Sequence, residues 1–213
     1  KPDRALSEDY LAVAGNLARL HAEKRDTYCP GAQMWVTESG DAGGGGTTWA
    51  STYQDVFRTL NELGSFPTVT DGIIFHNTLA SSDYGYLSHT VFDPRPNYFA
   101  VLLWNRIMGT TVYDAAEPIR EGAHVYAHSR ADGKPGAAYL VINNSKTDAT
   151  TVSLPKAAEV YQLSAETLRA DTMLCNGKPL VLGEGNTLPE MAPVTAPAGE
   201  LTLPAATCTF IVL

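Results

Sequence analysis

The stretch AQMWVTESGDAGGGG, residues 32–46, decides how the rest of the chain reads. The apolar residues Met34, Trp35 and Val36 lead into a carboxylate, Glu38, and then into four consecutive glycines, Gly43, Gly44, Gly45 and Gly46. A buried parallel strand that ends this way projects its last polar side chain from the rim of an α/β barrel, where such folds place catalytic groups. The glycines bring bare backbone N–H groups beside that carboxylate, an arrangement suited to holding an anion.

The flanking sequence keeps an α/β rhythm. Upstream, Ser7 reads as an N-cap, and Leu11, Ala14, Leu17, Ala18 and Leu20 recur at helical spacing, which predicts a helix over 7–25. Residues 26–31 read as a loop and 33–37 as a strand. Downstream, Trp49, Tyr53, Val56, Phe57, Leu60 and Leu63 mark a helix that Gly64 is expected to end. A second strand is predicted over 69–75, ending at His76 and Asn77, with a loop over 78–95. Pro96 then opens a helix carrying Phe99, Leu102, Leu103, Arg106 and Ile107, with Gly109 as its expected cap. The order α-β-α-β-α is that of a parallel barrel or a doubly wound sheet.

Near residue 111 the pattern changes to short runs rich in β-branched residues: HVYAHS, AAYLVINN, ATTVSLP, EVYQLS, KPLVLG, GELTLP and CTFIVL. Turn pairs such as Asp132-Gly133 and Asn176-Gly177 separate them, which predicts an antiparallel β-sandwich over 111–213. Residues 1–110 hold only two predicted parallel strands, whereas a (β/α)8 barrel needs eight. They therefore read as the last α/β units of a TIM barrel whose earlier strands lie on another segment or chain. The expected class is α/β plus all-β: the C-terminal part of a barrel, then a sandwich.

Composition bounds the chemistry. The chain has 213 residues, 44% of them hydrophobic, and a net charge of −8. No basic face supplies the counterion release that drives nucleic-acid binding, so nucleic acid is not expected as a partner. No apolar run is long enough for a membrane helix, so no membrane partner is expected. Cys29, Cys175 and Cys208 lack metal-ligand spacing, and no metal or cofactor is expected. Cys175 and Cys208 either pair or stay buried thiols. Asn143-Asn144-Ser145 has the form of a glycosylation sequon.

Glu38 is the first candidate catalytic group. Retaining glycosidases use two carboxyl groups ~5 Å apart, one as nucleophile and one as acid/base. The alternative is that Glu38 caps the following loop or pairs with an arginine. His76, Tyr84 and Tyr86 lie where a barrel rim would face a cleft, although a satisfied core histidine is the commoner role for His76. Trp49 and Trp104 fall on helical apolar stripes and read as core.

Three blocks, TESGDAGGGG, FHNTLASSDYGYL and PRPNYFAVLLWNRIMGTTV, resemble glycoside hydrolase family 79, the heparanases and β-glucuronidases. The resemblance covers residue 30 to about residue 115 and extends loosely over the β-rich remainder. It implies a (β/α)8 barrel with an appended sandwich, with Glu38 as nucleophile. It also implies that Gly44 and Gly45 hold the glucuronate carboxylate together with Tyr84; His76 and Asn77 are expected to line the substrate site because they are polar residues at a strand end. Many relatives carry a tyrosine where this chain has Gly43, and some have Arg-Gln where it has His76-Asn77. The family's acid/base glutamate lies over a hundred residues upstream of the nucleophile, but only 37 residues precede Glu38 here. The expected partners are therefore a glucuronic-acid-containing glycan or glucuronide and a companion N-terminal segment. A secreted or periplasmic location is expected. The alternative is a non-catalytic carbohydrate-binding or structural module.

Overall fold

The computed structural model describes residues 2–41, 44 and 46–213. The elements run in the order α1 (Glu8–Tyr28), β1 (Val36–Ser39), α2 (Tyr53–Ser65), β2 (Ile74–His76), α3 (Pro96–Ile107), β3 (Met108–Tyr113), β4 (His124–Arg130), β5 (Ala137–Asn143), β6 (Thr150–Leu154), β7 (Ala158–Ser164), β8 (Leu174–Cys175), β9 (Lys178–Pro179), β10 (Val194–Ala196), β11 (Gly199–Leu203) and β12 (Thr207–Val212). No described helix is long and apolar enough to cross a membrane.

β1 and β2 pair in parallel and, among the described residues, only with each other. The remaining strands are antiparallel. Eight of them form one sheet in the order β3-β4-β5-β12-β7-β8-β9, with β10 also on β7, and β6 pairs with β11 as a separate ribbon.

The large sheet is covered on both faces, and its side chains sort by strand alternation. Leu140 and Ile142 of β5, Cys208 and Phe210 of β12, and Leu163 of β7 face a core shared with Tyr53, Val56, Phe57 and Leu60 of α2. Their neighbours Val141, Ala158 and Ile211 face the opposite way, against Leu154 of β6 and Leu203 of β11. α2 is therefore the layer joining the α/β part to the β-rich part. Nearly all of its residues are buried, polar ones included.

Two contacts fix this layer. The Tyr53 hydroxyl lies 2.8 Å from the carbonyls of both Leu163 and Ala206, in two different strand regions. At Gly64 the Tyr126 ring packs so closely that an added Cβ would fall 2.2 Å from Tyr126 Cδ2. Gly64 thus does not end α2, as the sequence predicts, but lies in its last turn, where only a hydrogen side chain fits. Gly109 is likewise not a cap: α3 passes straight into β3, with Met108 as its C-cap.

Other expectations meet specific outcomes. Trp49 and Trp104 are core residues. Cys175 and Cys208 are buried free thiols, and Cys29 is an exposed one. Burial pushes the Cys175 thiol up to about 11. The sequon acceptor Asn143 is fully buried, and its Nδ2 donates to the carbonyls of Asp148, Leu203 and Pro204, so it is not available for glycosylation in the folded chain. On α1 the expected stripe is only half used: Leu11 and Ala18 are buried, whereas Leu17 and Leu20 are exposed.

Tyr53→Phe removes the donor shared by two buried carbonyls while leaving the ring in place. Urea unfolding is expected to show a loss of about 1–2 kcal/mol.

Candidate active site

The parallel pairing brings the C-terminal ends of β1 and β2 side by side, and the candidate residues gather there. Glu38 is exposed at the end of β1. The Asn77 side chain, one residue past β2, donates from Nδ2 to Glu38 Oε1 at 2.7 Å, and its backbone N–H donates to Ser39 O at 2.8 Å. Asn77 thus grips the β1 end twice. Among the described residues Glu38 has no arginine partner. The Asn77–Thr78 peptide bond is cis.

His76 is the last residue of β2, next to Asn77 in the chain. Its Nε2 is 2.8 Å from the Tyr84 carbonyl, which only accepts, so Nε2 carries the proton. The His76 ring stacks on Tyr86, with centroids 4.1 Å apart and planes 5° from parallel. Burial, outweighing the Tyr84 hydrogen bond, holds the imidazole below its ordinary range. Burial also pushes the Tyr86 phenol up to about 12, against the opposing Arg58 charge.

Tyr84 is buried, its ring against the glycine loop. A Cβ on Gly46 would lie 2.9 Å from Tyr84 Cδ1, and Gly46 has φ +96°. Glycine is needed there for conformation and for space. Gly44 also has positive φ, with open space around it. Gly45 and Gly43 lie outside the described residues. At the loop's entry Asp41 Oδ2 accepts from the backbone N–H and the hydroxyl of Thr47, at 3.2 and 2.8 Å. Burial raises the Asp41 carboxyl despite these bonds.

Behind the strand ends sits a charge cluster that sequence reading does not reveal. Arg58 of α2 is buried. It donates to both oxygens of Asp55 at 2.7 and 3.0 Å, to Glu62 Oε2 at 2.9 Å and to Thr59 Oγ1 at 3.1 Å. Asn97 of α3 donates to Asp55 at 2.6 Å, and the Ser39 hydroxyl donates to Glu62 Oε2. Burial opposes the guanidinium charge, but Asp55 and Glu62 outweigh it and hold Arg58 well above its ordinary value. The only advance signal is the i, i+3, i+7 spacing of Asp55, Arg58 and Glu62, which reads the same on a solvated helix face.

The structure therefore brings together Glu38 with Asn77, and His76 with Tyr84 and Tyr86. Tyr84 in turn meets the glycine loop at Gly46. Among the described residues no three histidine, cysteine or acidic side chains converge as metal ligands.

No family model matches the chain. Heparanase-like protein 1 of Arabidopsis thaliana is 30% identical to it over 172 residues, which is 80% of this chain and 31% of that protein. Baicalin-β-D-glucuronidase of Scutellaria baicalensis is 29% identical over 171 residues, 76% of this chain and 32% of that protein. The chain thus spans about a third of the length of these relatives. A 4-O-α-L-rhamnosyl-β-D-glucuronidase from Fusarium oxysporum 12S, solved with Rha-GlcA, superposes on all of this chain and on 50% of its own, with TM-score 0.75 and 14% identity. At that identity the likeness is one of fold.

Two outcomes are expected of the site's scaffold. Arg58→Leu leaves two buried carboxylates uncompensated and should lower unfolding free energy by about 3–5 kcal/mol, with Arg58→Lys milder, read from urea titration. The His76 imidazole should titrate below the 6.5 of an unperturbed histidine, read by NMR. Because its folded value is depressed, the stability it contributes is complete above the ordinary histidine value and is lost as pH falls from there through the lower, folded value.

Proposed function

Since this chain is a relative of the heparanases and β-glucuronidases of glycoside hydrolase family 79, we propose that it carries the nucleophile of a retaining site for β-glucuronic acid linkages. The observation that carries this reading is the 2.7 Å hydrogen bond from Asn77 to Glu38 across the ends of two parallel strands. It fixes one carboxylate oxygen and leaves the other to meet substrate.

In this reading a glucuronide lies over the strand ends, its carboxylate held by backbone N–H groups of Gly44 and Gly45 beside Tyr84. Glu38 attacks the anomeric carbon and forms a glycosyl ester as the C–O bond to the leaving group breaks. A second carboxyl group, on a segment outside this chain, protonates the leaving oxygen. It then takes a proton from the water that hydrolyses the ester.

Residues 1–110 are read as the closing α/β units of a TIM barrel and 111–213 as a β-sandwich behind them. Three observations support a companion segment that completes the barrel. β1 and β2 have no other strand partner among the described residues. Trp35, Phe75, Leu17 and Leu20 stand exposed around them. The relatives are also about three times longer than the matched chain.

The test is turnover of 4-nitrophenyl β-glucuronide by the chain together with the polypeptide that completes it. Glu38→Gln is expected to lower kcat by at least ~10³-fold, about 4 kcal/mol of barrier, with circular dichroism unchanged. Asn77→Ala, which removes one charge-assisted hydrogen bond, should cost ~10- to 100-fold. Substantial activity in Glu38→Gln would refute the assignment.

A further inference from the structure

The β1–β2 register has an irregularity just where the candidate nucleophile sits. Val36 faces Ile74, but Ser39 faces His76, so three steps along β1 match two along β2. The strand carries one extra residue in the span that contains Thr37 and Glu38. Side-chain alternation breaks there as well: Thr37 and Glu38 are both exposed, flanked by the half-buried Val36 and Ser39. A bulge of this kind re-aims a side chain, and it persists only if something holds the strand beyond it.

Ser39 is that point. Its hydroxyl donates to Glu62 Oε2, which also receives Arg58 Nη1 at 2.9 Å. Its carbonyl accepts from the Asn77 backbone N–H at 2.8 Å, and the same Asn77 holds Glu38 from its side chain at 2.7 Å. A continuous series of hydrogen bonds thus runs from Asn97 through Asp55, Arg58, Glu62 and Ser39 to Asn77 and Glu38. A buried ion cluster is rarely the most stable filling for such a space, and apolar side chains of equal volume do as well or better. What this cluster adds is a fixed acceptor for one hydroxyl at the strand end.

We infer that Glu62 and Ser39 are positioning residues: their hydrogen bond pins the bulge in β1 and thereby sets where Glu38 meets Asn77. The consequence for catalysis rests on the reading of Glu38 as nucleophile, whereas the geometric claim does not. A displacement of a reacting group by about 1 Å is enough to lose up to ~10²-fold in rate.

The test uses Ser39→Ala, Glu62→Gln and the double variant, with Ser39→Thr as the version that keeps a hydroxyl. The first readout needs no turnover: the ¹⁵N–¹H signals of the Asn77 side-chain amide, assigned by their loss in Asn77→Ala. These are expected to shift in Ser39→Ala and in Glu62→Gln, and to stay near wild type in Ser39→Thr. The second readout is turnover of 4-nitrophenyl β-glucuronide by the completed enzyme. Ser39→Ala and Glu62→Gln should each lower kcat about tenfold with KM within twofold, Ser39→Thr should stay near wild type, and the double variant should be no worse than either of the first two. Asn77 signals and kcat unmoved in Ser39→Ala, with only thermal stability reduced, would overturn the inference. If instead Glu38→Gln retains turnover, the nucleophile assignment falls while the Asn77 signals still decide the positioning claim.

Discussion

The arrangement depends on one buried guanidinium. Arg58 sits inside α2 with its charge met by Asp55 and Glu62 on the same helix, one turn to either side. A charge with no solvent around it is tolerated only when its hydrogen-bonding capacity is filled by nearby acceptors. Filling it here draws in Asn97 from α3 and, through Glu62, Ser39 from β1. Two further elements are thus tied to α2 by directional bonds, which for α3 add to the apolar core it shares with α2. The candidate nucleophile lies next to one of those ties.

The same helix is the seam between the two halves of the chain. Its apolar side enters the face of the large sheet that also receives Leu163 and Phe210, and the Tyr53 hydroxyl reaches carbonyls of two strand regions. The tip of α1 is joined to the same region by a second polar knot. The imidazole of His124 on β4 lies between Asn61 of α2 and Glu8 of α1, and Asn144 donates to Glu8 at 2.6 Å. The β-rich half is therefore a wall against which α2 is set. The strand ends are placed relative to that wall through α2.

Much of this was legible in the sequence, for reasons that differ by element. Many of the antiparallel strands announce themselves as short β-branched runs between turn residues, and HVYAHS, AAYLVINN and CTFIVL all fall on strands, whereas β8 (Leu174–Cys175) and β9 (Lys178–Pro179) carry no β-branched residue. The parallel pair was legible from two apolar runs ending in polar residues, and those polar residues, Glu38 and Asn77, meet. The α3–β3 junction was not legible, since the helical stripe passes into strand at Met108 with no breaker and Gly109 imitates a cap. The sequon misleads because three residues carry no information about burial. The charge cluster was missed because Asp55, Arg58 and Glu62 have the spacing of a solvated ion-pair face. Only the packing of α1, α3 and the sheet around α2 shows that the face is interior. The bulge at Thr37 and Glu38 depends on where β1 stops relative to β2, which no local pattern encodes.

The central claim is that Glu38 is the group that bonds to the sugar. The most direct measurement is covalent trapping of the completed enzyme with an activated 2-deoxy-2-fluoro-glucuronide, followed by peptide mapping. The account predicts one added 2-deoxy-2-fluoro-glucuronyl mass, on the peptide containing Glu38 and on that side chain. A label on any other carboxylate, or hydrolysis with inversion and no trapped ester, would contradict it.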